Sequence, residues 1–126
     1  MKKIISSLFL ASMLIINASA QAVIKFDKNS HDFGKFNENV KQSAIFTFTN
    51  TGDEPLVIQQ VMTTCGCTIA DYTKNPIPVG KKGQIKISYN GKGKQKGFFR
   101  KVITVRSNAT NAMTRIYISG EMMIKE

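Results

Sequence analysis

Histidine occurs once in this chain, at His31, and cysteine twice, at Cys65 and Cys67. That scarcity excludes a good deal of chemistry. A structural zinc site needs four ligands, and only these three strong nitrogen or sulfur donors are on offer. A cysteine nucleophile needs a base to form its thiolate, and His31 is the one imidazole. Within Ser30-His31-Asp32, beside a turn, His31 reads better as a solvent-facing or hydrogen-bonded structural residue. Acids are also few, 8 against 18 Lys and Arg, and they are scattered. The one adjacent pair, Asp53-Glu54, is explained by a turn without paired-carboxylate chemistry. Gly80-Lys81-Lys82-Gly83 and Gly91-Lys92-Gly93 lack the spacing and the strand-to-helix setting of a phosphate-binding loop. Of the six methionines, Met62, Met113, Met122 and Met123 read as gap fillers rather than metal ligands. No catalytic set can be assembled, and no cofactor is expected.

Long hydrophobic runs are missing as well, apart from one at the start. Lys2 and Lys3 precede an apolar stretch from Ile4 to Ile16, followed by the small-residue signal Ala18-Ser19-Ala20. This reads as a cleaved signal peptide over residues 1–20. The run is shorter than the roughly 20 apolar residues of a membrane helix and is broken by Ser6, Ser7 and Ser12. No membrane span is expected after cleavage. The remaining 106 residues, Gln21 to Glu126, suit a single domain. Loss of Lys2 and Lys3 from the 18 basic residues leaves 16 against 8 acids, a formal charge of +8. An exported protein rarely meets nucleic acid, so the excess points to solubility or to an anionic component of the envelope.

From Ala22 onward, helical spacing is nowhere sustained. Apolar residues alternate with period two in short bursts separated by Gly, Asn, Asp and Pro, the pattern of strands and turns. Strands are predicted at Ile24 and Phe26, at 31–36 with a kink at Gly34, and at 43–49, where Phe46 and Phe48 share a face. Further strands are predicted at 56–61, 83–89, 101–105 and 115–119. The segment 74–80 contains Pro76 and Pro78, each lacking a ladder donor, so it cannot be an internal strand. About seven strands in roughly 100 residues fit an all-β, immunoglobulin-like sandwich, in which two amphipathic sheets bury their apolar faces against each other. A small closed barrel is the alternative. The tract Gly91-Lys92-Gly93-Lys94-Gln95-Lys96-Gly97 is expected to be a mobile, exposed loop whose Lys92, Lys94 and Lys96 are candidate contacts for an anionic partner.

Several blocks together resemble a known bacterial family: Asp32-Phe33-Gly34, the run 46–58 containing Asn50-Thr51-Gly52, Cys65-Gly66-Cys67-Thr68, Gly80-Lys81-Lys82-Gly83, and the run 97–108. In this order they are similar to the domain of unknown function 1573, across nearly the whole mature chain. Val79 departs from the pattern, where proline would precede the glycine. The resemblance implies an exported immunoglobulin-like domain, similar to modules of ciliary and centrosomal proteins. It implies no established activity.

The Cys65-Gly66-Cys67 pair remains open among several roles. In an extended strand, residues two apart lie about 6.6 Å from one another on one face. That is the far end of the range a disulfide accepts, and Gly66 can draw the two together. Export favours a bridge, which would be strained and easily reduced. Two converging thiolates would instead suit copper(I). A purely structural pair, bridged or buried as thiols, is the plainest reading. The chain is therefore expected to be an exported, non-enzymatic module that binds or scaffolds an envelope protein or an anionic envelope component, with strand addition along a sheet edge as the mode. The alternative is a thiol site, Cys65 and Cys67, for copper(I) binding or disulfide exchange.

Overall fold

The computed structural model describes residues 20–64 and 66–123, so the predicted signal peptide lies, except for Ala20, outside the described residues. Eight strands follow in order: β1 Ile24–Phe26, β2 Ser30–Asn37, β3 Gln42–Asn50, β4 Ile58–Thr63, β5 Thr68–Tyr72, β6 Lys82–Tyr89, β7 Gly97–Ser107 and β8 Met113–Met123. They form two four-stranded sheets, β1-β3-β6-β5 and β2-β8-β7-β4. The architecture is the all-β sandwich that the alternation predicts, with open edges rather than a closed barrel. No helix among the described residues is long and apolar enough to cross a membrane.

The alternation dictates the packing. Ala44, Phe46 and Phe48 of β3 point inward beside Ile85, Ile87 and Tyr89 of β6, and all six are buried. The second sheet answers with Ile103 and Val105 of β7 and with Ile116, Ile118 and Met122 of β8. Each fully buried side chain of this kind stabilises the fold by roughly 1.5–3 kcal/mol relative to exposure. Gly83 of β6 is where the first sheet makes room for an aromatic ring, because a Cβ there would lie 2.5 Å from Phe48 Cζ.

Where the strands depart from expectation, local chemistry explains it. Leu56 does not open β4. It follows Pro55 and makes an isolated antiparallel bridge to Ile77, between Pro76 and Pro78. Leu56 N–H donates to the Ile77 carbonyl and Ile77 N–H to that of Leu56, so the proline segment is tied down without becoming a strand. The kink foreseen at Gly34 is a register shift between Asp32 and Lys35, with Gly34 at φ 71° and its N–H donating to Asp32 Oδ1. β2 runs parallel to β8, whereas all other strand pairs in the two sheets are antiparallel.

A corner and four sheet edges as candidate functional site

β4 is an edge of one sheet and β5 an edge of the other, so the Thr64–Cys67 segment carries the chain across the open side of the sandwich. Of the two singled-out cysteines, Cys67 lies at this corner. Cys65 is outside the described residues. Cys67 is buried, is disulfide-bonded, and has Cys65 as the one other cysteine of the chain. Its carbonyl accepts the N–H of Asn90 at 2.9 Å, which starts the pairing of β5 with β6. Across the corner, Thr63 Oγ1 donates to the Thr68 carbonyl at 3.3 Å, joining the end of one edge to the start of the other. A hollow of about 270 Å³ lies beside it, lined by Lys41, Cys67, Ile69, Ser88, Tyr89 and Asn90.

His31 stands elsewhere. It lies on β2, and β2 and β4 are opposite edges of the same sheet with β8 and β7 between them. Lys28 Nζ donates to His31 Nδ1 at 2.8 Å, since an ammonium can only donate, and the ring meets Phe33 edge-on at 5.1 Å. Partial burial lowers the His31 pKa, the Lys28 charge lowers it further, and Asp32 acts in the opposite sense. The imidazole is thus engaged on the side of the sandwich away from the cysteine corner.

The lysine tract is exposed at Lys92 and Lys94, and local hydrogen bonds shape its backbone. Lys94 N–H closes a turn on the Gly91 carbonyl, and Lys92 N–H donates to Asn90 Oδ1. Lys96 Nζ pairs with Glu38 at 2.8 Å and also donates to the Lys94 carbonyl, so its charge is spent within the chain. The hydrogen bond from Lys96 is the main cause that holds the Glu38 carboxyl below its usual range. Met122 is buried as a gap filler, Met62 is half-buried, and Met113 and Met123 are exposed.

The four edges differ in how well they are closed to further pairing. β1 has three residues, β2 is broken by the register shift at Gly34, and β4 carries a shift between Ile58 and Gln60. Short strands and bulges are the usual devices that blunt an edge. β5 has none of them: its five residues pair with β6 in unbroken register from Thr68↔Tyr89 to Tyr72↔Ile85. Asn90 N–H to the Cys67 carbonyl and Thr73 N–H to the Gln84 carbonyl show which residues face β6. By alternation, Thr68, Ala70 and Tyr72 turn their backbone groups to the free edge. Thr63 covers the carbonyl of the first, and Ile69, 68% exposed, stands out from the sheet beside it.

Asparagine side chains, which the sequence suggested only as turn formers, hold the opposite end together. Asn50 is fully buried; its Nδ2 donates to the carbonyls of Glu54 (2.6 Å) and Ile77 (3.1 Å), and its Oδ1 accepts from Gly52 N–H. Asn108 accepts from Val57 N–H and donates to the Pro55 carbonyl, so both ends of its amide are occupied internally. Asn111 bonds both backbone groups of Ile24.

The architecture defines an immunoglobulin-like, PapD-like β-sandwich domain. Residues 24–122 match the model of the family described as Protein of unknown function (DUF1573), and the chain belongs to that family. A crystal structure of a protein of unknown function from Porphyromonas gingivalis W83 superposes with TM-score 0.71 at 19% identity, covering 86% of this chain and 50% of that one. This chain therefore spans half the length of that relative. The ASH / PapD-like domain 7 of human CEP192 gives TM-score 0.68 at 9% identity, covering 89% and 93% of the two chains. The periplasmic chaperone SfaE gives 0.58 at 10% identity, covering 82% and 60%. At such identities the likeness shows the fold. No curated protein matches the chain.

Proposed function

We propose that the chain is an exported, non-enzymatic protein-binding module of the bacterial envelope that takes an extended segment of its partner along β5. The observation that carries this reading is the contrast among the edges: β5 is the one edge longer than three residues that keeps its register unbroken from end to end. An incoming strand would gain main-chain hydrogen bonds at Ala70 and at the Tyr72 carbonyl, the Tyr72 N–H being held by Asp71 Oδ1 at 2.9 Å, with Ile69 beside it for side-chain contact. The likeness in fold to the periplasmic chaperone SfaE supports a binding role for this sandwich. The predicted signal peptide, residues 1–20, supports export to a periplasmic or extracellular space.

The test is capture from envelope extract by the mature chain, residues 21–126, alongside two variants. Ala70→Pro removes an outward donor without touching a bond to β6, and Ile69→Lys places a charge on the edge. Both are expected to fold and to lose the captured protein. Equal capture by all three forms would refute strand addition at β5.

A second reading, favoured by the disulfide at Cys67, is exchange of that bond with an envelope thiol. Copper(I) fits less well, because it requires both sulfurs as thiolates. Changing Cys65 and Cys67 to serine decides between the readings: unaltered copper tolerance and oxidative folding in the host, with capture intact, leaves the edge as the working part.

A further inference from the structure

The chain has only three arginines among its 18 basic residues, and they are not dispersed as the lysines are. Arg100 and Arg106 lie on β7 and Arg115 on β8, the two central strands of the second sheet. All three are exposed. The period of two puts them on one face: Ile103 and Val105 point into the core, as do Ile116 and Ile118, so Arg100, Val102, Thr104 and Arg106 point outward with Arg115 and Tyr117. The register fixes their neighbours. Arg100 is opposite Ser119, Val102 opposite Tyr117, Thr104 opposite Arg115 and Arg106 opposite Met113. β4 extends the face with Met62 opposite Thr104 and Gln60 opposite Arg106.

We infer that this outer face is a binding surface for an acidic polypeptide segment carrying aromatic or aliphatic side chains between its carboxylates. Among the described residues none of the three arginines is in an ion pair; the pairs formed are Lys82 with Asp27 and Lys96 with Glu38. Arg100 is already held in place, its guanidinium carbon 4.3 Å from the centre of the Tyr117 ring. Stacking of that kind fixes the plane of the group while leaving its N–H fork available at the rim. The carboxylates of this face, Asp32 and Glu121, lie toward β2 and Phe98, in the register Asp32↔Ser119 and Phe98↔Glu121. Both sit near Arg100, Asp32 in its row across Ser119 and Glu121 one pair along, so the uncompensated positive charge lies at Arg106 and Arg115.

Composition selects a protein over a lipid or a sugar acid. A surface that only attracts phosphate works with lysine, and this chain keeps its lysines elsewhere, apart from Lys35 at the acidic end. Here the bidentate cation is interleaved with Val102, Tyr117, Met62 and Met113, the mixture of Arg, Tyr and Met that protein interfaces favour. The spacing sets the ligand. Arg115 lies opposite Thr104, four residues along from Arg100, which is about 13 Å at the rise of a strand. Val102 and Tyr117 lie between. A fitting segment is extended, with acids about four positions apart and an apolar residue midway. This surface is distinct from the β5 edge.

The probe is a labelled random copolymer of glutamate and tyrosine, compared with polyglutamate and with phosphatidylglycerol vesicles. The mature chain is expected to bind the copolymer more tightly than polyglutamate, and less tightly as salt rises. Single changes Arg100→Gln, Arg106→Gln and Arg115→Gln should each weaken binding about tenfold. Replacing all three by lysine should fail to restore it, because the fork is lost while the charge is kept. Lys92→Gln should have little effect, and Ala70→Pro none, so failure here is separable from failure at the β5 edge. Exposed positions leave folding intact, checked by circular dichroism. Equal loss on changing Lys92, full activity of the triple lysine variant, or binding to vesicles alone would each overturn the assignment.

Discussion

The ring of Tyr89, at the end of β6, lies flat against that of Phe99 in β7, with centroids 4.5 Å apart and planes 13° from parallel. The two residues belong to different sheets, so the stack clamps one layer to the other. Phe36 closes it edge-on from β2, 6.2 Å from Tyr89 and 5.8 Å from Phe99. Burial raises the Tyr89 pKa. Phe99→Leu should cost about 1–2 kcal/mol and Phe99→Ala about 3 kcal/mol, read from urea titration. No loss in the alanine variant would show that the stack is incidental.

Asn50 is expected to be among the least replaceable polar residues. Asn50→Ala takes this partner from the Glu54 carbonyl and the Gly52 N–H and leaves the Ile77 carbonyl with the Leu56 N–H alone, at a cost of about 3 kcal/mol. Asn50→Asp should be at least as harmful at neutral pH, because it sets a buried carboxylate against two carbonyls. Thermal unfolding of the two variants checks this, and the aspartate form should recover partially on acidification.

Acid should weaken the fold in two stages. The folded pKa of His31 is depressed, so near neutrality and just below, the unfolded chain binds the proton more readily. Stability is fully present above the unfolded value of about 6.5 and is lost as pH falls through the lower folded value. Glu38 is also depressed, chiefly by its hydrogen bond from Lys96, and its contribution disappears at lower pH as it protonates in the folded chain. His31→Asn should abolish the upper stage and Glu38→Gln the lower, as followed by unfolding midpoints across pH.

Reducing the Cys67 disulfide should act locally. With Cys65 as its partner, the bond closes a three-residue loop, which restricts the unfolded chain by less than the roughly 3 kcal/mol of a 15-residue loop. Hydrogen exchange should quicken at the Asn90 amide, which bonds the Cys67 carbonyl, while β7 and β8 stay protected. Uniform loss of protection would mean that the bond holds the whole sandwich.

Most of the sandwich was legible because its core strands alternate strictly, as Phe46 and Phe48 do in β3 and Ile85 and Ile87 in β6. β5 escaped because an edge inverts the signal: its large aliphatic residue, Ile69, faces out, while Thr68 and Ala70 face in. The start of β7 was hidden in the same way. Adjacent Phe98 and Phe99 break the alternation, yet Phe98 is 85% exposed and Phe99 packs on Tyr89. The cysteine pair was conspicuous, but its place between two sheets depends on which strands are edges. The arginine face was illegible for a simpler reason: Arg115 joins Arg100 and Arg106 only through the register of β7 with β8.

The parallel seam between β2 and β8 has a bearing on how the molecule is born. A ribosome delivers Ser30–Asn37 long before Met113–Met123, and the earlier ribbon has no bonded neighbour except the later one. Completion of that layer must wait for Met113–Met123, so in a nascent chain Ser30–Asn37 stays without a strand partner until that strand is made.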